Sequence, residues 1–167
     1  VEIYWAYRDF KDMMELTENI VTSIIDQVHG KYELPFGEMT LNFTKPWKKL
    51  SMTDAVKEIG GIDIFAHSVD DLRKLAHEHK IDEPDKPQSQ REYLIAFFEA
   101  LVEVELIQPT FIYDYPVENS PLAKRHREKE GFTERFELFI AGMEVGNGFS
   151  ELNDPVDQKE RFEAQDE

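Results

Sequence analysis

The chain has no cysteine among its 167 residues. That excludes a disulfide scaffold, a thiolate metal site and a cysteine nucleophile. Basic residues are scarce: 19 Lys and Arg stand against 35 Asp and Glu, for a net charge of −16. A surface that grips nucleic acid needs clustered Lys and Arg to displace counterions. No such stripe is present, so any nucleic-acid contact is weak here or made elsewhere. No run approaches the roughly 18 apolar residues of a membrane span. Nor does the amino end carry the basic region and cleavage site of a signal peptide. These absences fit a cytoplasmic protein. There is no GxGxxG, GxxxxGK[ST] or GxSxG motif. With no Met at position 1, the chain is expected to begin inside a longer or processed protein.

What is present is a core. Apolar residues make up 41% and aromatics 12%, enough for one folded domain of this length. Residues 1–7 alternate with period two and read as the end of a strand, with Glu2, Tyr4 and Ala6 on its polar face. Asp9 can cap a helix whose apolar positions Phe10, Met13, Met14, Ile20, Val21, Ile24, Ile25 and Val28 follow helical spacing, with Gly30 stopping it. Met39, Leu41 and Phe43 suggest a short strand. Ser51 with Asp54, Ser68 with Asp71 and Ser89 with Glu92 each mark a helix start. Residues 51–106 therefore read as a helical stretch, broken by Gly60-Gly61 and the loop 82–88. Period two returns over 109–116 as a buried strand. Residues 117–131 form a polar loop, and its basic cluster at 124–127 reads as a solvated loop rather than a phosphate grip. A hairpin over 135–149 and a helix capped by Asp154 with Pro155 follow. The fold class expected is α+β, an antiparallel sheet flanked by helices.

The hairpin carries the sharpest chemistry. With Ala141-Gly142 as a two-residue turn, Phe139 faces Glu144 and Glu137 faces Gly146. Glu137 and Glu144 then share a face as diagonal neighbours, with Cβ atoms about 7–8 Å apart or less. Two carboxylates so placed can hold Mg²⁺ with waters and substrate phosphates. They can equally be two glutamates on a solvated face, and spacing does not decide. Gly146-Asn147-Gly148 suggests a bulge, or a ligand approaching the backbone. A bulge would bring Asn147, Phe149 and Glu151 onto the face of Glu144. A surface offering Glu2, Tyr4, Asn147 and Glu151 suits a cationic amino acid, because an ammonium has three donors and no acceptor. The five histidines show no metal spacing.

The run MEVGNGFSELND (143–154), preceded by RFELFIAG (135–142), closely resembles the class II lysyl-tRNA synthetases. So do PVDQKERF (155–162), LIQPTFI (106–112), Tyr115-Pro116, SPLAKR (120–125) and KPWKKLSM (45–52). The opening VEIYWAY (1–7) and DMMELTE (12–18) look like the strand and helix just after motif 2 of that family. The resemblance covers nearly the whole chain and is weakest over about 60–95. It implies that Glu2, Tyr4 and Glu151 recognise the lysine ε-ammonium. Asn147 would contact the lysine carboxylate, and Phe149 would line the pocket. Glu137 and Glu144 would bind the Mg²⁺ that accompanies ATP. No residue of this chain is assigned as a covalent catalyst. The partners implied are lysine, ATP and tRNA-Lys, with a homodimer in the family.

On this resemblance, residues 1–167 are a partial catalytic domain between motif 2 and motif 3, with a helical insertion at about 60–100. Motif 1, which builds the family's dimer interface, and the arginines of motifs 2 and 3 are not among these residues. Neither is the anticodon-reading domain. This piece alone is therefore expected to be inactive. Two other expectations stand beside it. One is the synthetase paralogue that attaches a lysine-type group to elongation factor P. The other is a non-catalytic, synthetase-derived domain that binds lysine or serves as a scaffold.

Overall fold

The structure is a computed structural model that describes residues 1–84, 87 and 89–165. Of the loop expected at 82–88, residues 85, 86 and 88 lie outside the described residues. Helix α1 (Phe10–His29) starts where Asp9 and Asp12 form a reciprocal capping box. It ends at Gly30, whose φ of 63° is the left-handed stop that glycine adopts freely. The short hairpin of β1 (Glu33–Phe36) and β2 (Met39–Asn42) stands where a single strand was expected. Strand β3 (Lys48–Ser51) leads into α2 (Met52–Glu58), α3 (Val69–His79) and α4 (Gln90–Leu101). Ser51 caps α2, Ser68 caps α3, and Ser89 with Glu92 forms the box of α4. Strands β4 (Thr110–Tyr113), β5 (Arg135–Ile140) and β6 (Met143–Phe149) follow, then α5 (Pro155–Gln165).

The main sheet runs in the order β3-β4-β5-β6. Its β4-β5-β6 part is antiparallel, as expected for the α+β class. β3 adds parallel to β4 and makes the sheet mixed. The sequence signal for β3 is poor. It has four residues, two of them lysines, and it forms only because β4 offers a free edge.

Strand pleating divides the core in two. Phe111, Phe136 and Leu138 point to one face, where Phe10, Met14 and Ile25 of α1 meet Leu41, Phe43 and Trp47. Leu50, Ile112 and Phe139 point to the other face. There Tyr93, Leu94, Phe97 and Phe98 of α4 pack with residues of α2 and α3. Helices α2 and α4 thus lie against the sheet, and α3 packs on α4.

Two expectations are corrected. Residues 1–7 form no strand. Alternation marks a chain suited to a half-buried surface, but a strand also needs a partner's backbone. None of the described residues supplies one. Tyr7 also turns to φ 62°, and Val1, Tyr4 and Tyr7 are exposed. The apolar face of α1 is also narrower than its spacing suggests. Ile20, Ile24 and Val28 are exposed, whereas Glu18 and Thr22 are buried. Glu18 earns its place by accepting the Trp47 backbone N–H at 2.6 Å. Thr22 donates back to the Glu18 carbonyl at 2.6 Å.

Candidate functional site

The β5-β6 hairpin turns at Ala141 and Gly142, both at positive φ. Their N–H groups donate to the carbonyls of Ile107 and Leu106, which ties the tip to the end of the helical stretch. Ile140 pairs with Met143 and Phe139 with Glu144, as the two-residue turn requires. The register then shifts. Leu138 pairs with Gly146 and Glu137 with Asn147, so Val145 is the extra residue. The bulge therefore lies one residue before the Gly-Asn-Gly run, and Glu137 faces Asn147 rather than Gly146. Its effect on parity is the one anticipated. Arg135, Glu137, Phe139, Glu144, Asn147 and Phe149 share a face.

Neither glycine of the run has a positive φ. Gly148 is needed for packing within the protein. A Cβ there would lie 2.7 Å from Cε1 and Cζ of Phe136. That ring is held edge-on by Phe111 at 5.5 Å and cannot move aside. Gly148→Ala is therefore expected to destabilise the protein by about 1–3 kcal/mol. Gly146→Ala meets only the Leu138 Cβ, at 3.6 Å. It should cost less than about 1 kcal/mol. Thermal unfolding of the two variants would check the contrast, and equal losses would sink it.

Glu137 is buried on this face. Its Oε2 accepts the Tyr115 hydroxyl at 2.7 Å and its Oε1 accepts Arg135 Nη2 at 2.5 Å. Burial still holds its pKa above the ordinary glutamate value. The Tyr115 bond and the Arg135 charge oppose that, while Glu144 and Glu99 add to it. Tyr115 is itself pushed well above the usual phenol range, by burial and then by Glu137, so it remains a donor. Glu103, just past α4, is raised by burial and by the charges of Glu99, Glu137 and Glu144. Four carboxylates thus repel one another across the hairpin and the end of α4. Among the described residues, no three or more His, Asp or Glu are grouped to ligate a metal. A two-carboxylate Mg²⁺ site needs only Glu137 and the exposed Glu144. Hard oxygen donors under mutual repulsion fit that ion, and each carboxylate oxygen keeps a spare lone pair.

Of the other predicted residues, Asn147 and Phe149 lie on β6 and Glu151 just past its end. Phe149 is half-buried opposite Arg135. Ser150 Oγ accepts the Phe10 N–H at 3.1 Å, which ties the start of α1 to the end of β6. Glu151 is exposed and bridges Ala123. The Tyr4 hydroxyl donates to Glu2 Oε1 at 2.6 Å. That hydrogen bond raises the Tyr4 pKa, followed by the Glu2 charge and, more weakly, the Glu151 charge. Tyr4 therefore lies within electrostatic reach of both Glu2 and Glu151, although residues 1–7 form no strand. All three are solvent-accessible.

The two arginines of the basic cluster in the 117–131 loop are committed to acids. Arg125 pairs with Asp157 through two hydrogen bonds, at 2.8 and 3.0 Å. Arg127 grips the buried Glu134 at 2.5 and 3.0 Å and reaches Asp9. Arg161 and then Arg125 hold Asp157 down to about 2 against its partial burial, which latches α5 onto the loop. The His126 side chain is buried rather than solvated, with Nδ1 accepting the N–H groups of Glu128 and Lys129. These pairings leave no loose arginine for a phosphate in this loop.

Sequence reasoning passed over Arg135, Tyr115 and Glu103 as members of the site. For Arg135 a signal existed: it stands two residues before Glu137, on the same side of a strand. Tyr115 and Glu103 come from other elements, and only folding brings them in.

The model of the tRNA synthetases class II (D, K and N) family matches residues 1–167. A lysine–tRNA ligase of Methanospirillum hungatei is 63% identical over 167 residues, all of this chain and 33% of that protein. Lysine–tRNA ligase 2 of Methanosarcina mazei is 58% identical over 166 residues, covering 99% of this chain and 32% of its own length. A lysine–tRNA ligase of Oceanobacillus iheyensis is 50% identical over 166 residues, with 99% of this chain and 34% of that protein covered. The chain spans about a third of the length of these relatives.

Proposed function

Because this chain belongs to the class II tRNA synthetases of the D, K and N group, we propose that the full-length protein activates lysine with ATP and transfers it to tRNA-Lys. The observation that carries this reading is Tyr4 within reach of both Glu2 and Glu151, a phenol between two carboxylates. A lysine ε-ammonium brings three donors that these oxygens can accept. Asn147 and Phe149, on the hairpin face leading to that neighbourhood, would meet the lysine carboxylate and stem. No described helix is long and apolar enough to cross a membrane, and tRNA charging would place the protein in the cytoplasm, as a homodimer.

The reaction requires positioning rather than a protein nucleophile. A lysine carboxylate oxygen attacks the ATP α-phosphorus. The bond from that phosphorus to the bridging oxygen breaks, and pyrophosphate leaves with the electron pair. A terminal hydroxyl of the tRNA then attacks the lysyl carbonyl carbon, the bond from that carbon to the phosphate oxygen breaks, and AMP departs with the electron pair and takes up the hydroxyl proton on its phosphate. Glu137 and Glu144 would hold Mg²⁺, which when bound offsets phosphate charge. Tyr115 and Arg135 orient Glu137. Tyr4 stays protonated and holds Glu2 in place.

The full-length protein should catalyse ATP–pyrophosphate exchange with lysine and not with arginine, and should then charge tRNA-Lys. Folded protein with no lysine-dependent exchange would end this reading. Exchange followed by transfer to elongation factor P instead of tRNA would replace the acceptor.

A further inference from the structure

We propose that Arg135 is a positioning residue that sets which way the Asn147 amide faces, making Asn147 a donor toward the carboxylate of a bound amino acid. This rests on the reading of the hairpin face as the amino-acid site.

An asparagine side chain carries an acceptor oxygen and a donor NH₂, and rotation by half a turn exchanges them. Which one faces a ligand decides between attraction and repulsion of a carboxylate. Here the choice is forced. Arg135 Nε lies 3.2 Å from Asn147 Oδ1, and a guanidinium has only donors. The oxygen must turn to Arg135, so the NH₂ is left for whatever approaches the face.

Arg135 cannot easily yield. Its Nη1 donates to the Asn119 carbonyl at 2.8 Å and to Ser120 Oγ at 3.0 Å. Its Nη2 donates to Glu137 at 2.5 Å. Its plane lies over the Tyr115 ring at 4.6 Å. Partners from the 117–131 loop, β5 and the end of β4 thus lock the one fork that sorts the Asn147 amide. A lysine at 135 would keep the charge but not the fork.

The test uses the full-length protein and two probes, L-lysine and L-lysinol, in which CH₂OH replaces the carboxylate. The readout is the ratio of their dissociation constants by calorimetry. Wild type should prefer lysine. In Arg135→Met the preference should fall by about tenfold, the worth of one charge-assisted hydrogen bond. In an Asn147→Ala background, Arg135→Met should change the ratio by less than about twofold, because Arg135 acts through Asn147. A general loss of structure would weaken both probes and leave the ratio alone. Should Arg135→Met not fold, Arg135→Gln, which can offer Asn147 an oxygen as readily as an NH₂, carries the same test. An unchanged ratio in the single variant with its fold intact by circular dichroism, or an equal fall in both backgrounds, would overturn the inference. Wild-type protein that binds neither probe would instead overturn the functional reading beneath it.

Discussion

Glu137→Gln in the full-length protein is expected to lower lysine-dependent ATP–pyrophosphate exchange by about 10²–10³-fold, roughly 2.7–4 kcal/mol of transition-state stabilisation. The swap keeps the shape and removes the charge. On the proposed reading Glu137 is one of the two carboxylates, with Glu144, that would hold Mg²⁺, so half the protein's share of that ion's charge balance would go. The amide also spoils the local order. Glu137 now accepts from Tyr115 on one oxygen and from Arg135 on the other. A glutamine can accept on one side only; with its oxygen toward Arg135, its NH₂ faces the Tyr115 hydroxyl, which must turn from donor to acceptor. The fold should survive. Burial already disfavours the charge at this position, as does repulsion from Glu144 and Glu99. Circular dichroism unchanged from wild type, with exchange activity lost, is the expected pair of results. Activity within about fivefold of wild type would remove Glu137 from the metal site.

Phe111→Ala should have the largest effect on stability, about 3–5 kcal/mol. The side chain is fully buried. Its ring stacks on Trp47 at 5.8 Å and meets Phe136 edge-on at 5.5 Å. Deleting it opens a cavity between α1 and the sheet, below the strand that carries Glu137. Surrounding groups cannot close in, since Phe136 is wedged against Gly148 and Trp47 is anchored by Glu18 and by its own Nε1 bond to the Phe43 carbonyl. Native-state hydrogen exchange of the β4 and β5 amides in the full-length protein reads the loss locally. A loss below about 1 kcal/mol would mean that α1 is not held by this cluster.

Much of this architecture is local chemistry and could be read from the chain. Four helix starts follow from Asp9, Ser51, Ser68 and Ser89, because a cap is settled by side chains within three residues of one another. The turn at Ala141-Gly142 and the shared face of Glu137 and Glu144 follow from a period of two. The run through Asn147 to Glu151 identifies the family by resemblance, and the family comparison agrees.

Other features required partners distant in sequence. Residues 1–7 have a strand's alternation, yet hydrogen-bond pairing decides what a strand is. β3 has almost no strand signal, yet it pairs with β4. The bulge falls at Val145, where Gly146 pairs with Leu138 and Gly148 clears the Phe136 ring. By itself the sequence determined the helix caps, the hairpin turn and the side of the sheet on which the acidic residues fall. These depend on bonds and periodicities spanning a few residues. Only the tertiary structure decided that Tyr115 and Arg135 clasp Glu137, that Glu103 joins its field, and that Glu151 comes within reach of Tyr4. Those relations depend on distances across space, which packing of the sheet against α1 and α4 sets.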